Sequence, residues 1–452
     1  MESISRIRAP HAWVEVDDFD IFVLYKNTIL EVLKTPSTPR AIEPEVRRTL
    51  LEKLPAPGDC ALVLKGVRRC GKSTLQGQLR RARGPVIQCN FEDPRLYGLS
   101  AGDFPAFLEA IDAAAPASAG IFFDEVREVP GWEKLVRALL DRGRRVCVTG
   151  SNASLLGREV GAKLTGRHIS FEVQPFNYRE YLAFTGNKPG ADTLRSFLEA
   201  GGFPMHIHGQ EPQLLRELFR DIIERDIARR HHLRETRHLM NLALFLLANT
   251  GQPLSMQSLT KSLAIPSVNQ TSRYLEQLAD SYRIPPLQKH HHSFKQRMIT
   301  PAKYYPIDNG LKMANSPQST SDLGRRLETQ VFLELRAMGE QPAYDGERKV
   351  WECDFVTDEL AIQVCAELTP ANTDREIGGL VQACKKTNRT KRKAMLITLD
   401  QSRQVSVDGI SIEILPAWRW LTRGRRTSLI EPRKTRKNTK RIDERAFTAR
   451  MG

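Results

Sequence analysis

Residues Gly66-Val67-Arg68-Arg69-Cys70-Gly71-Lys72-Ser73 set two glycines, a lysine and a serine at the spacing G-x-x-x-x-G-K-[ST], the pattern by which a backbone wraps a phosphate. The glycines let N–H groups turn inward, Lys72 neutralises the β- and γ-phosphate oxygens, and Ser73 offers a hydroxyl to Mg²⁺. Gly66, Arg69, Cys70, Gly71, Lys72, Ser73 and Thr74 are therefore the expected nucleotide-binding residues. Further on, Ile121-Phe122-Phe123-Asp124-Glu125 is an apolar run closing on two carboxylates. Asp124 is expected to share the Mg²⁺ with Ser73, and Glu125 to polarise the water that attacks the γ-phosphate. The implied chemistry is hydrolysis of ATP with Mg²⁺, with Lys72 and Glu125 acting directly. A third run, Arg145 to Thr149, leads into Gly150-Ser151-Asn152 and puts a polar side chain between the two motifs. Thr149, Ser151 and Asn152 compete for this sensor position; Asn152 joins the catalytic candidates, and Ser151 or Asn152 serves equally as a helix cap.

These residues need a scaffold that delivers them to one place. The apolar stretch Ala61 to Leu64 precedes the phosphate loop and a helical stretch begins near Lys72, while Pro85 to Asn90 reads as another strand. Phe104 to Ala115 and Trp132 to Leu140 read as helices. The result is a repeated βαβ order, hence an α/β fold with a mostly parallel sheet between helices. Its phosphate site belongs at the carboxyl ends of the strands.

The strings GVRRCGKSTL, IFFDEVREVPGWEKLVRALLD and VTGSNASLLGREVGAKLTGRHISFEVQPFNYREYL, with Gly201-Gly202-Phe203-Pro204 and Trp351-Glu352-Cys353-Asp354-Phe355 further on, resemble the prokaryotic, archaeal-type AAA+ ATPases. The resemblance covers about residues 20 to 415. It implies an ATPase domain followed by a winged helix and a degenerate restriction-endonuclease-like domain. The expected divisions are 20–190 for the P-loop domain, 191–235 for a helical lid, 236–315 for the winged helix, 318–416 for the nuclease-like α/β domain and 417–452 for a basic tail. It also implies an arginine, from a neighbouring subunit or from the lid, that stabilises charge on the γ-phosphate. Arg158 and Arg167 are the candidates, and Arg167 is preferred because it stands before the apolar run Ile169 to Val173. A homo-oligomer follows if that arginine acts between subunits.

In the winged-helix region, Leu239 to Asn249, Ser255 to Leu263 and Ser267 to Asp280 read as three helices, the last exposing Asn269, Gln270 and Arg273. Lys289-His290-His291-His292 fits the tip of a wing leading to Lys303-Tyr304-Tyr305. In the last domain, Glu328 on a helix and Asp354 on a strand, with Glu352 on the same strand face, match the metal-holding acids of a nuclease core. Gln363 and Cys365 occupy the places of the acid and lysine that should follow, so the expected role is a non-cleaving platform.

The 452 residues carry a net charge of +15, and twelve lysines or arginines face three acids between Arg419 and Gly452, a balance of +9. That tail, and Arg389 to Lys393, favour contact with nucleic acid. Seven cysteines without a C-x-x-C pair point to reduced thiols, with Cys70 expected to respond to alkylation. With no leader-like stretch after Met1 and no run long enough for a bilayer, the expected location is cytoplasmic. Three functions fit: an ATPase that remodels DNA, a nucleotide switch acting on protein partners, and an ATP-regulated nuclease.

Overall fold

The computed structural model describes residues 5–9, 12–16, 18–35, 44–56, 58–151, 164, 166–209, 211–229, 231–233, 235–281, 284–291, 293–316, 322–347, 349–386 and 392–423. All contacts below lie within the unit that spans residues 1–422. Strands β1 (Ser5–Ala9) and β2 (Ala12–Val16) form an antiparallel hairpin ahead of helix α1 (Asp18–Lys34).

The central strands of the next sheet are largely apolar because both their faces are covered, as in a sheet whose crossovers are helices, while the edge strand His168–Glu172 is more polar and partly exposed. β3 (Ala61–Gly66), β4 (Val86–Asn90), β5 (Gly120–Asp124), β6 (Val146–Ser151) and β7 (His168–Glu172) make a parallel sheet in the order β4-β5-β6-β3-β7. Successive side chains point to opposite faces. Val63, Ile87, Phe123 and Val148 enter one core with α1, α3 (Phe104–Ala114) and α4 (Trp132–Asp141). Leu62, Leu64, Phe122 and Cys147 enter the other, with Leu75 and Leu79 of α2 (Lys72–Arg83).

That second core continues into a helical region. α5 (Tyr178–Thr185), α6 (Ala191–Ala200), α7 (Pro204–Gly209) and α8 (Pro212–Asp221) run into a π-helical turn, Ile222–Ala228. Then come α9 (Arg237–Ala248), α10 (Met256–Ser262) and α11 (Val268–Asp280). Ser255 and Ser267 start the last two helices by accepting the N–H groups of Ser258 and Gln270. Leu239, Leu259, Leu275 and Leu278 fill the space between them.

The expected wing takes a different form. β8 (Pro286–Leu287) and β9 (Lys303–Tyr304) pair antiparallel, but α12 (Phe294–Ile299) lies between them. Lys289 bridges to Tyr344, and the His290 N–H donates to the Tyr344 carbonyl over 2.6 Å. The segment is drawn onto a strand edge whose backbone groups need partners. His292 lies outside the described residues.

After α13 (Asn309–Asn315) and α14 (Leu323–Ala337), a six-stranded mixed sheet forms from β10 (Ala343–Glu347), β11 (Trp351–Val356), β12 (Leu360–Val364), β13 (Lys393–Thr398), β14 (Arg403–Val407) and β15 (Ile410–Pro416). Its order is β10-β11-β12-β13-β15-β14, with β13 parallel to both neighbours. α15 (Thr373–Lys385) covers one face through Ile377, Leu380 and Val381. Phe355 reaches the other side, where Phe332 of α14 stacks on Tyr305 at 4.5 Å between ring centroids. A short helix, α16 (Ala417–Arg423), buries Trp420 and Leu421, and residues 424–452 lie outside the described residues. Among the described residues no helix is long and apolar enough to cross a membrane.

Candidate nucleotide site and a second acidic cluster

The phosphate loop joins the carboxyl end of β3 to α2, whose first hydrogen bond runs from the Leu75 N–H to the Gly71 carbonyl. The first-turn N–H groups of Lys72, Ser73 and Thr74 have no carbonyl partner within the helix and point where an anion can bind. Gly71 is left-handed at φ 94°, and a Cβ there would meet the Arg48 guanidinium at 2.6 Å. Lys72 is buried; its ammonium donates to the Val67 carbonyl at 3.2 Å and lies 3.8 Å from Glu125 Oε1.

A buried frame holds this loop from behind. The Arg48 guanidinium donates to the Cys70 carbonyl at 2.8 Å, to the Gln174 carbonyl at 2.6 Å and to Glu180 Oε1 at 3.1 Å. Glu180 is fixed in turn by a capping box: its other oxygen accepts the Asn177 N–H at 3.1 Å, and the Asn177 side chain accepts the Glu180 N–H. In front, Arg68 pairs at 3.0 Å with Asp226 of the π-helical turn. Cys70 is fully buried, which corrects the expectation that an alkylating reagent reaches it in the folded protein.

Asp124 closes β5 almost without exposure and accepts a hydrogen bond from the Thr149 hydroxyl. The same hydroxyl accepts the Glu125 N–H at 3.3 Å, so one side chain of β6 holds both carboxylate residues. Glu125 itself is left-handed at φ 48°, an uncommon conformation for a non-glycine residue. Of the three sensor alternatives, Thr149 is the one whose side-chain contacts are described; Asn152 and Arg158 lie outside the described residues.

Arg48, Arg68, Gly71, Lys72 and Glu125 line a cavity of about 370 Å³. Arg68, Arg69, Lys72, Ser73, Thr74 and Glu125 form its phosphate end, and Val46, Phe176, Phe184 and Met205 form an apolar slot. Phe176 and Phe184 pack at 5.5 Å between centroids, and Arg48 stands over the Phe176 ring. Ser73, Glu92 and Glu125 on the wall, with Asp124 behind, supply oxygen donors, the set Mg²⁺ takes when phosphate oxygens complete its shell. Burial raises the Glu92 carboxyl above its usual range, with the Glu125 charge adding to the effect and Arg68 opposing it.

Sequence reasoning missed Arg48, Glu92, Phe176 and Arg225, all on this cavity wall. Arg225 reaches it from the π-helical turn, a local widening often found at functional sites. Arg167 stands elsewhere. Its carbonyl accepts the Ala61 N–H at the start of β3, and its side chain pairs with Asp141. The strand rise of about 3.3 Å per residue puts it roughly 20 Å from the loop after Gly66.

The nuclease-like acids also converge. Glu328 of α14 and Glu352 and Asp354 of β11 surround the Lys303 ammonium of β9, at 3.4, 2.8 and 3.5 Å. Gln363 donates to Glu376 at 2.7 Å and accepts the Asp354 N–H at 3.1 Å, while burial pushes the Cys365 thiol up to about 12.

The AAA domain family matches residues 59–182, from the start of β3 into α5, and Domain of unknown function (DUF8612) matches residues 191–322. Over 430 residues the chain is 30% identical to the Uncharacterized protein MJ1544 of Methanocaldococcus jannaschii, across 88% of this chain and 95% of that protein. An uncharacterised protein of Haemophilus influenzae is 31% identical over 386 residues, 80% of this chain and 94% of its own length.

Proposed function

Because the chain belongs to the AAA-type P-loop ATPase family, we propose that it is a Mg²⁺-dependent ATPase whose nucleotide cycle drives the binding or remodelling of DNA. The observation that carries the hydrolytic part is the 3.8 Å approach of Lys72 to Glu125 on the wall of the cavity built by the phosphate loop. Lys72 and the first turn of α2 hold the phosphates, the slot beside Phe176 takes the base, and Glu125 orients the attacking water and receives its proton. Ser73 and Asp124 would hold Mg²⁺, which when bound would neutralise the phosphate oxygens. Thr149 keeps Asp124 and Glu125 in register.

The DNA part rests on the helical region and on charge. α10 and α11 form a helix-turn-helix beside the β8/β9 pair, which we read as a winged helix; Asn269 and Arg273 are exposed on α11 and Gln270 is half-buried. Asparagine, glutamine and arginine side chains read base edges, and the chain's +15 charge favours polyanions. We assign residues 20–190 to the ATPase, 191–235 to the lid, 236–315 to the winged helix and 318–416 to a nuclease-like platform. Arg167, remote from its own loop, serves a neighbour's site in a homo-oligomer.

The test is ATP turnover by the full chain, alone and with single-stranded, duplex, forked and four-way DNA. Stimulation by a DNA shape supports the reading. Turnover indifferent to every DNA overturns its DNA part and favours a nucleotide switch acting on proteins.

A further inference from the structure

The acidic cluster of the second sheet holds a cation that the chain itself provides. Lys303 is 1% exposed, yet its ammonium stands within 3.5 Å of Glu328, Glu352 and Asp354. A lysine with only hydrocarbon around it would lose its proton, whereas three carboxylates hold this one charged: burial works against the charge and the acids more than offset it. Two of these carboxylates accept further hydrogen bonds. Glu328 Oε1 accepts the Tyr305 hydroxyl at 2.5 Å, and Asp354 Oδ2 accepts the Val364 N–H at 3.0 Å. A cavity of about 1090 Å³ opens over the cluster, lined also by Lys289, Lys349, Trp351 and Arg375.

We infer that Lys303 is the resident counter-ion of the Glu328–Glu352–Asp354 cluster, occupying the place a divalent cation would take and closing this pocket to metal. The ammonium ties β9 to β11 across two regions of the chain. The cavity above it is then a binding surface without metal-dependent cleavage. A divalent ion needs oxygen ligands at roughly 2.0–2.6 Å, so it enters the cluster only if the ammonium leaves.

Mn²⁺ binding by the nucleotide-free full-length chain, followed by the loss of the free-ion paramagnetic signal, tests this. Wild type and Asp354→Asn should give superimposable isotherms, because the wild-type cluster takes no Mn²⁺. Lys303→Met should gain one Mn²⁺ site, and the double variant Lys303→Met/Asp354→Asn should lose it. A wild-type site abolished by Asp354→Asn would overturn the inference, as would a folded Lys303→Met protein that gains none. Should Lys303→Met fail to fold, the wild-type and Asp354→Asn pair still decides: identical isotherms uphold the inference and a lost site overturns it.

Discussion

The Lys72 ammonium and the Glu125 carboxylate face each other at 3.8 Å on the wall of one cavity. In the proposed site, a lysine that neutralises phosphate and a carboxylate that activates water act on opposite sides of the γ-phosphate. On that reading a bound nucleotide would separate the two groups. Replacing Lys72 by alanine removes the charge that holds the β- and γ-phosphates. Lys72→Ala should abolish binding of a fluorescent ATP analogue; retained affinity would argue against the phosphate assignment.

Thr149 donates to Asp124 and accepts from the Glu125 backbone. Thr149→Val keeps the shape and deletes both bonds, leaving a buried carboxylate short of a donor at a cost of about 1–3 kcal/mol. Turnover should fall roughly tenfold or more through misplaced catalytic groups, with ATP affinity little changed. Single-turnover hydrolysis alongside nucleotide titration separates the two effects, and an unchanged rate would remove Thr149 from the positioning role.

Arg48 and Glu180 are 3% and 2% exposed, and Arg48 also carries the Cys70 carbonyl. Arg48→Ala leaves the Glu180 charge buried without its partner, a change of about 3–5 kcal/mol. Urea unfolding measures it. A loss below about 1 kcal/mol would mean the frame behind the phosphate loop is not held by this pair.

Legibility tracks how local the chemistry is. Lys72, Ser73 and Asp124 could be proposed from the sequence because the roles proposed for them depend on spacing within one turn or one strand end. Arg48 and Arg225 were not, because each reaches the cavity only after distant segments fold together. Lys303 was hidden for the same reason: it reads as a residue at the foot of a wing, and only the packing of β9 against β11 and α14 shows the acids around it. The wing itself was misread at Lys289 and His290, since nothing local announces that a strand edge at Tyr344 will claim their backbone.

Asp308 links the two halves of the fold. It accepts the Gly202 N–H at 2.5 Å and the Leu311 N–H at 2.8 Å, and a Cβ on Gly202 would meet the Phe176 carbonyl at 2.2 Å beside the nucleotide slot. Burial pushes its carboxyl up to about 6, against the opposing pull of those N–H donors. Folded and unfolded states are both protonated below the ordinary carboxyl range, so the penalty of burying the charge is absent there. It grows as pH rises towards 6 and is complete above, reaching about 3 kcal/mol at 1.36 kcal/mol per pKa unit. The stability of wild type relative to Asp308→Asn should therefore decline from pH 4.5 to 7.5 in urea titrations; a difference constant with pH would contradict the assignment.

If Arg167 completes a neighbour's site, Arg167→Ala and Lys72→Ala chains are each inactive alone but regain part of the activity when mixed. In a mixed assembly, a chain with an intact loop can sit beside a chain with an intact arginine. No recovery at any ratio would argue against shared sites.

Steady-state ATP hydrolysis by Glu125→Gln against wild type tests the central claim most directly. The amide keeps the size of the side chain but cannot take a proton from water. Bound ATP should persist while turnover falls by at least ~100-fold, the range of lost acid–base catalysis. Turnover equal to wild type would contradict the hydrolytic role of this cavity.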